Sequence, residues 1–121
     1  MILCIGIERS ALRQRHRALH QAGFGVEAVH LSEAVQALQR CAYEAIVIGG
    51  RVPDDEARLL SARFRQRCPG GKVVVLHEGS RRSVDFADAV IAHEDSAENL
   101  VDTVHALGVA PDESMGARTT G

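Results

Sequence analysis

Ala45-Ile46-Val47-Ile48 and Val73-Val74-Val75-Leu76 are two unbroken apolar runs with a helical pattern between them. Each run reads as a strand covered on both faces, because a strand with one wet face alternates apolar and polar residues. Between them Gly49-Gly50-Arg51-Val52-Pro53 reads as a loop, and Asp54-Asp55-Glu56 suits the positive N-terminus of a helix. Leu59, Leu60 and Phe64 then recur at helical spacing, and Pro69-Gly70-Gly71 stops the helix. Strand, helix and strand in this order form a right-handed crossover and call for a parallel sheet.

The same alternation extends in both directions. Upstream, Ile2 to Ile7 is a buried strand ending at Glu8-Arg9-Ser10. Ser10 is the expected cap of a helix with Leu12, His16, Leu19 and Gly23 on one side and arginines over the rest, closed by Gly23. Val26 to His30 reads as a short strand, and Ser32 as the cap of a helix with Val35, Leu38 and Ala42 inward. Downstream, Ala89 to Ala92 reads as a fifth strand. Asp95 and Glu98 are spaced as a capping box for a last helix carrying Leu100, Val101, Val104 and Leu107, ended by Gly108. Val109 to Gly121 is expected to fray, leaving one folded domain over residues 1–108. The fold class is therefore α/β, a doubly wound parallel sheet of five strands.

Composition narrows the function classes. Leu, Ile, Val and Phe number 32 of 121 residues, enough for an aliphatic core, whereas Phe24, Phe64, Phe86 and Tyr43 are the only aromatic residues. Base-stacking surfaces are not expected, and a net charge of -2 argues against a dedicated nucleic-acid binder. The charge is polarised: residues 1–77 carry 11 bases and 7 acids (+4), residues 78–121 carry 3 and 9 (-6). No secretory signal or membrane-crossing stretch is visible, which makes the cytoplasm the expected compartment. Cys4, Cys41 and Cys68 form an odd set without CxxC spacing, implying neither a disulfide framework nor a zinc knuckle. Cys4 lies in a strand and is expected to be a buried, inert thiol.

Five strand–helix units in about 108 residues, a buried strand from Ile2, the Gly23-Phe24 turn and Pro53 four residues beyond Gly49 resemble a bacterial response-regulator receiver domain. The resemblance covers residues 1–108 and implies a flavodoxin-like sheet of order 2-1-3-4-5. It also sets where the family's phosphorylation chemistry would lie. The metal-holding acids after the first strand match Gly6 and Ile7, with only Glu8 acidic beside them. The phosphoacceptor aspartate at the end of the third strand matches Gly49, which has no nucleophile. The family's Thr or Ser matches His77, its Lys matches His93, and its aromatic switch position falls near Val90. Only 15 residues separate His77 from His93, so the fourth helix is expected to be shortened to about residues 81–86 or irregular.

This pattern implies a stand-alone pseudo-receiver, not an enzyme and without a cofactor, that signals through a protein partner or a second copy of itself. Nucleic acid and membrane are not expected partners. Candidate contact surfaces are the basic first helix, with Arg9, Arg13, Arg15 and Arg17, and the acidic last helix, with Glu94, Asp95, Glu98 and Asp102. An alternative is metal or ligand binding at the strand ends. Glu8, His77 and His93 are the metal candidates, and Gly6, Gly49, Gly50 and Gly79 could let a phosphate or flavin approach the backbone. A conventional phosphorelay would need a surrogate acceptor such as Asp54 or Asp55. His16 and His20 are one turn apart, a spacing that permits a shared metal but more often only places one ring against the core. His30 and His105 have no evident partners. Cys41 and Cys68, near the ends of neighbouring helices, are expected to be small core residues rather than a redox pair.

Overall fold

The computed structural model describes residues 1–39, 41–77, 85–92 and 96–109. The elements, in order, are β1 (Ile2–Gly6), α1 (Arg9–Gln21), β2 (Val26–His30), α2 (Leu31–Ala37) and β3 (Ala45–Ile48). They continue with α3 (Asp54–Arg67), β4 (Lys72–His77), β5 (Ala89–Ala92) and α4 (Ser96–Ala106). All strands are parallel, in the order β2-β1-β3-β4-β5, as expected. The three central strands are the unbroken apolar runs, and Ile2 to Ile5, Ala45 to Ile48 and Val73 to Leu76 are all buried.

Side-chain alternation divides the core between the two faces of the sheet. Leu3, Ile5, Ile46, Ile48, Val73 and Val75 meet Ala34, Leu38, Ala57, Leu60 and Phe64 from α2 and α3. Ile2, Cys4, Ala45, Val47, Val74 and Leu76 meet Leu12, Leu19, Leu100 and Val104 from α1 and α4. Val109, grouped above with the fraying tail, is 6% exposed and belongs to this second cluster. Gly23 (φ 97°) and Gly108 (φ 87°) hold the left-handed turns that end α1 and α4.

Several local expectations are corrected. Helix α1 begins at Arg9 with Glu8 as N-cap and no side-chain cap, so Ser10 lies inside the first turn. Ser32 is not the cap of α2. His30 is: its Nδ1 accepts from Ser32 N–H (3.1 Å), while the Glu33 carboxylate accepts from His30 N–H (3.3 Å). The strand therefore passes directly into the helix. Val35 and Leu59, assigned to buried faces, are 42% and 51% exposed, and the inward positions belong to Ala34 and Leu38, and to Ala57, Leu60 and Phe64. Ala42 lies beyond α2 and is exposed. His105 packs against Phe24 with the rings tilted by 55° (5.1 Å between ring centroids).

The expected short helix over residues 81–86 falls largely outside the described residues; Phe86 stands in a turn. Segment 85–88 is held on α3 instead. Arg58 pairs with Asp85 (3.2 Å) and lies over the Phe86 ring, and Arg65 donates to Phe86 O and to Asp88 (2.7 Å). Asp88 Oδ2 also accepts from Val73 N–H (2.7 Å), which anchors the chain just before β5. The largest departure concerns the cysteines. Cys41 and Cys68 are joined in a disulfide that ties the segment before β3 to the end of α3.

Gly71 packs edge-on against Phe64: a Cβ there would stand 2.3 Å from the ring, whereas one on Gly70 meets nothing within 4 Å. Because Phe64 is buried and cannot swing away, Gly71→Ala should destabilise the fold by roughly 1–3 kcal/mol. Gly70→Ala should stay within about 0.5 kcal/mol. Urea unfolding of the two variants checks the contrast.

Candidate functional site

Parallel strands bring all their carboxyl ends to one edge, where an open α/β sheet usually presents its ligands. Among the described residues found there are Gly6 at the end of β1 with Ile7 and Glu8 after it, Gly49, Gly50 and Arg51 after β3, and His77 at the end of β4. The Gly49 N–H donates to Ile5 O (2.8 Å), so this loop leaves β3 still in register with β1.

An arginine fills the centre of this edge. Arg15, expected on the outer surface of α1, is 3% exposed. It stands three residues after Leu12 and four before Leu19, and so shares the inward stripe with them, while His16 is only half-buried and stacks on His20 (5.9 Å). The guanidinium occupies space that two glycines leave open. A Cβ on Gly49 would lie 3.2 Å from Arg15 Nη1, and one on Gly6 3.6 Å from it and 3.2 Å from Leu12 Cδ2. The glycine methylenes are thus covered by α1 and do not form an open cradle for a phosphate or flavin; Gly79 lies outside the described residues.

The other candidates do not converge on this point. Glu8 pairs with Arg51 (3.1 Å) across the loops. Ile7 is 41% exposed. His77 follows Val73 and Val75 in the alternation and so takes the α2/α3 side of the sheet, opposite Gly49 and Arg15. Its buried Nδ1 has no hydrogen-bond partner among the described residues. His93 lies outside them. Among the described residues, no three His, Cys, Asp or Glu side chains are placed to hold a metal ion. Asp54 and Asp55 stand exposed in the first turn of α3, five and six residues past Gly49.

Cys4 is fully buried in β1, on the α1/α4 side of the sheet. Burial pushes its thiol up to about 12, against a smaller opposing pull from the positive charge of Arg15. The buried thiol therefore stays protonated.

Arg9, Arg13 and Arg17 are exposed and recur every four residues along one face of α1. Beside them Arg9, Leu12, Arg13, His16, His30 and Glu33 border a groove of about 310 Å³ between α1 and β2. Asp102 is exposed on α4; the Glu98 side chain lies outside the described set.

No protein-family model matches the chain, and no curated protein does. Solved structures do. A response regulator from Thermotoga maritima superposes with a TM-score of 0.70 at 19% identity, covering 90% of this chain and 98% of that one. The fold is that of a receiver domain. An atypical orphan response regulator, described as having a phosphorylation-independent regulatory mechanism, gives 0.71 at 16% identity over 88% of this chain and 94% of its own. A CheY-like receiver domain protein from Methanospirillum hungatei gives 0.62 at 18% over 88% and 94%. At these identities the shared property is the backbone arrangement. No helix among the described residues is long and apolar enough to cross a membrane.

Sequence reasoning missed Arg15 because a charged residue was assigned to the surface; its spacing from Leu12 and Leu19 was the available signal. Two measurements follow. Gly49→Ala should destabilise by roughly 1–2 kcal/mol through overpacking. In an Arg15→Ala background that cost should fall by about 0.5 kcal/mol or more, leaving the smaller clash with Ile5 O, as a double-mutant unfolding cycle would read. The Cys4 thiol ionises at its ordinary 9.0 once the chain unfolds. The stability this group contributes is full below pH 9 and is lost as pH rises toward 12, at up to about 1.4 kcal/mol per pH unit. Denaturant unfolding against pH should show this slope in the wild type, reduced in Cys4→Ala.

Proposed function

We propose that this chain is a pseudo-receiver: a receiver-fold signalling domain that has given up phosphorylation and works by protein contact. One observation carries the reading. The position after β3 has no carboxylate, only Gly49, and the Arg15 guanidinium stands 3.2 Å from where its Cβ would be. An acyl-phosphate switch needs a nucleophilic carboxylate there and a divalent ion to neutralise the phosphoryl oxygens. Gly49 takes the phosphoacceptor's position, and Gly6 and Ile7 take those of the metal-holding acids. Glu8, the remaining acid, is engaged by Arg51. His77 and His93 take the positions of the family's hydroxyl residue and lysine. A fixed cation at the centre of the edge repels a metal ion, so the substitutions act together.

The domain catalyses no reaction in this reading and operates in the cytoplasm. Regulation without phosphorylation, described for the atypical orphan regulator of the same fold, is the mode carried over to this chain. The contact surface is the outer face of α1. Among the described residues no carboxylate lies within ion-pair distance of Arg9, Arg13 or Arg17. Like charges four residues apart weaken a helix slightly, and an acidic partner surface would relieve that repulsion. Asp102 offers the opposite charge on α4, a helix on the same side of the sheet as α1, and head-to-tail pairing of two copies is the self-association this charge distribution favours.

Amide NMR in Mg²⁺ with beryllium fluoride tests the first half: the spectrum should stay unchanged at Gly6, Gly49 and Gly50. Shifts confined to those residues would overturn the reading. Wild type and an Arg9→Glu, Arg13→Glu, Arg17→Glu variant, used as paired baits in extracts of the native cell, test the second. A partner should be retained by the wild type alone, and identical captures would remove α1 as the contact surface.

A further inference from the structure

We propose that Cys41 and Cys68 form a reversible redox site, a dithiol–disulfide couple that exchanges with low-molecular-weight thiols such as glutathione. The inference goes beyond the signalling reading and does not rest on it, since the pair lies at the opposite end of the sheet from Gly49 and Arg15.

The placement of the two cysteines is unequal, which favours exchange over a permanent staple. Their Cα atoms are 5.3 Å apart, within bridging distance. Cys41 is exposed in the segment between α2 and β3, whereas Cys68 is 4% exposed, caps α3 and belongs to the core beneath it. A cavity of about 350 Å³ bordered by Cys41, Cys68, Tyr43, Pro69 and Lys72 adjoins the bond and gives a small thiol room to approach. Exchange begins at a sulfur that can be reached, and in this pair Cys41 is the reachable one.

The step balances without a metal or an enzyme. A glutathione thiolate attacks Cys41 Sγ, the Cys41–Cys68 bond breaks, and Cys68 leaves as a thiolate that takes up a proton. A second glutathione thiolate attacks the glutathione sulfur of the mixed disulfide and releases Cys41. Two glutathione thiols are oxidised to one glutathione disulfide, the protein disulfide is reduced, and the two protons end on Cys41 and Cys68. Oxidation by glutathione disulfide is the reverse.

The surrounding fold is anchored independently of the bond. Tyr43 O–H donates to Glu27 (2.8 Å), Glu44 N–H to Met1 O (2.9 Å) and Lys72 N–H to Glu44 O (3.0 Å), so β3 keeps its register when the bridge opens. Reduction returns Cys68 to the role of a small core residue and leaves Cys41 as an outward thiol on a segment no longer tied to α3. Cys4 takes no part: it is fully buried in β1, and its thiol is held protonated.

The full chain is equilibrated anaerobically across glutathione to glutathione-disulfide ratios, acid-quenched, alkylated and mapped by peptide mass. A single two-electron transition should link Cys41 to Cys68. After reduction, alkylation of the native protein should reach Cys41 first and leave Cys4 unlabelled, and the Tm should fall by roughly 5–15 °C. Cys41→Ser, at an exposed position, should abolish the transition and share the Tm of the reduced wild type. Three free thiols at every ratio, a bridge that survives excess glutathione, a bridge that includes Cys4, or a Cys41→Ser variant as stable as the oxidised protein would each overturn the proposal.

Discussion

Coverage of three strands on both faces is the constraint on which the rest of the structure depends. β1 and β3 are buried, and so is β4 apart from its half-buried ends Lys72 and His77, so each needs helices above and below it, and the chain meets this with α2 and α3 on one face and α1 and α4 on the other. Each Val, Ile or Leu buried there contributes about 1.5–3 kcal/mol relative to exposure, which outweighs any single polar contact at the surface. Parallel strands then carry the described loops that follow β1 and β3 to the same edge.

At that edge a guanidinium has been built into the packing. Placing an arginine under a helix requires vacant volume, and two residues without Cβ atoms provide it at the ends of β1 and β3. The arrangement is mutual. The glycines are needed because Arg15 reaches across them, and Arg15 can lie inward because they offer no side chains. Substituting a larger side chain at Gly49 alone would meet the steric limit of this packing, since Arg15 Nη1 and Ile5 O already stand 3.2 and 3.3 Å from where its Cβ would be.

Most of the architecture was legible from the chain because the unbroken runs at Ile2, Ala45 and Val73 have one physical reading, and because Gly23 and Gly108 mark helix ends where only the left-handed turn fits. The five strands fall where expected to within a residue or so at each end. Helix faces were less legible. A stripe of apolar letters does not reveal that the small Ala34 and Ala57 face the sheet while Val35 and Leu59 face water, since a helix lying close to a sheet favours small inward residues over large ones. Arg15 and His30 were misjudged for a related reason: residue type was weighed over position, and their roles depend on neighbours far along the chain or on backbone donors. The topology already placed Cys41 and Cys68 near the ends of neighbouring helices, but whether such neighbours stay apart or bond depends on their separation in space, 5.3 Å between Cα atoms, which the spacing along the chain does not fix.

The direct passage from β2 into α2 has a mechanical consequence. With His30 serving both as the last ladder partner of Gly6 and as the residue that closes the first turn of the helix, there is no hinge between the outermost strand and its helix. Strand and helix meet at one residue along this margin of the molecule, so a displacement of α2 would pull on His30 and, through its pairing with Gly6, on the end of β1.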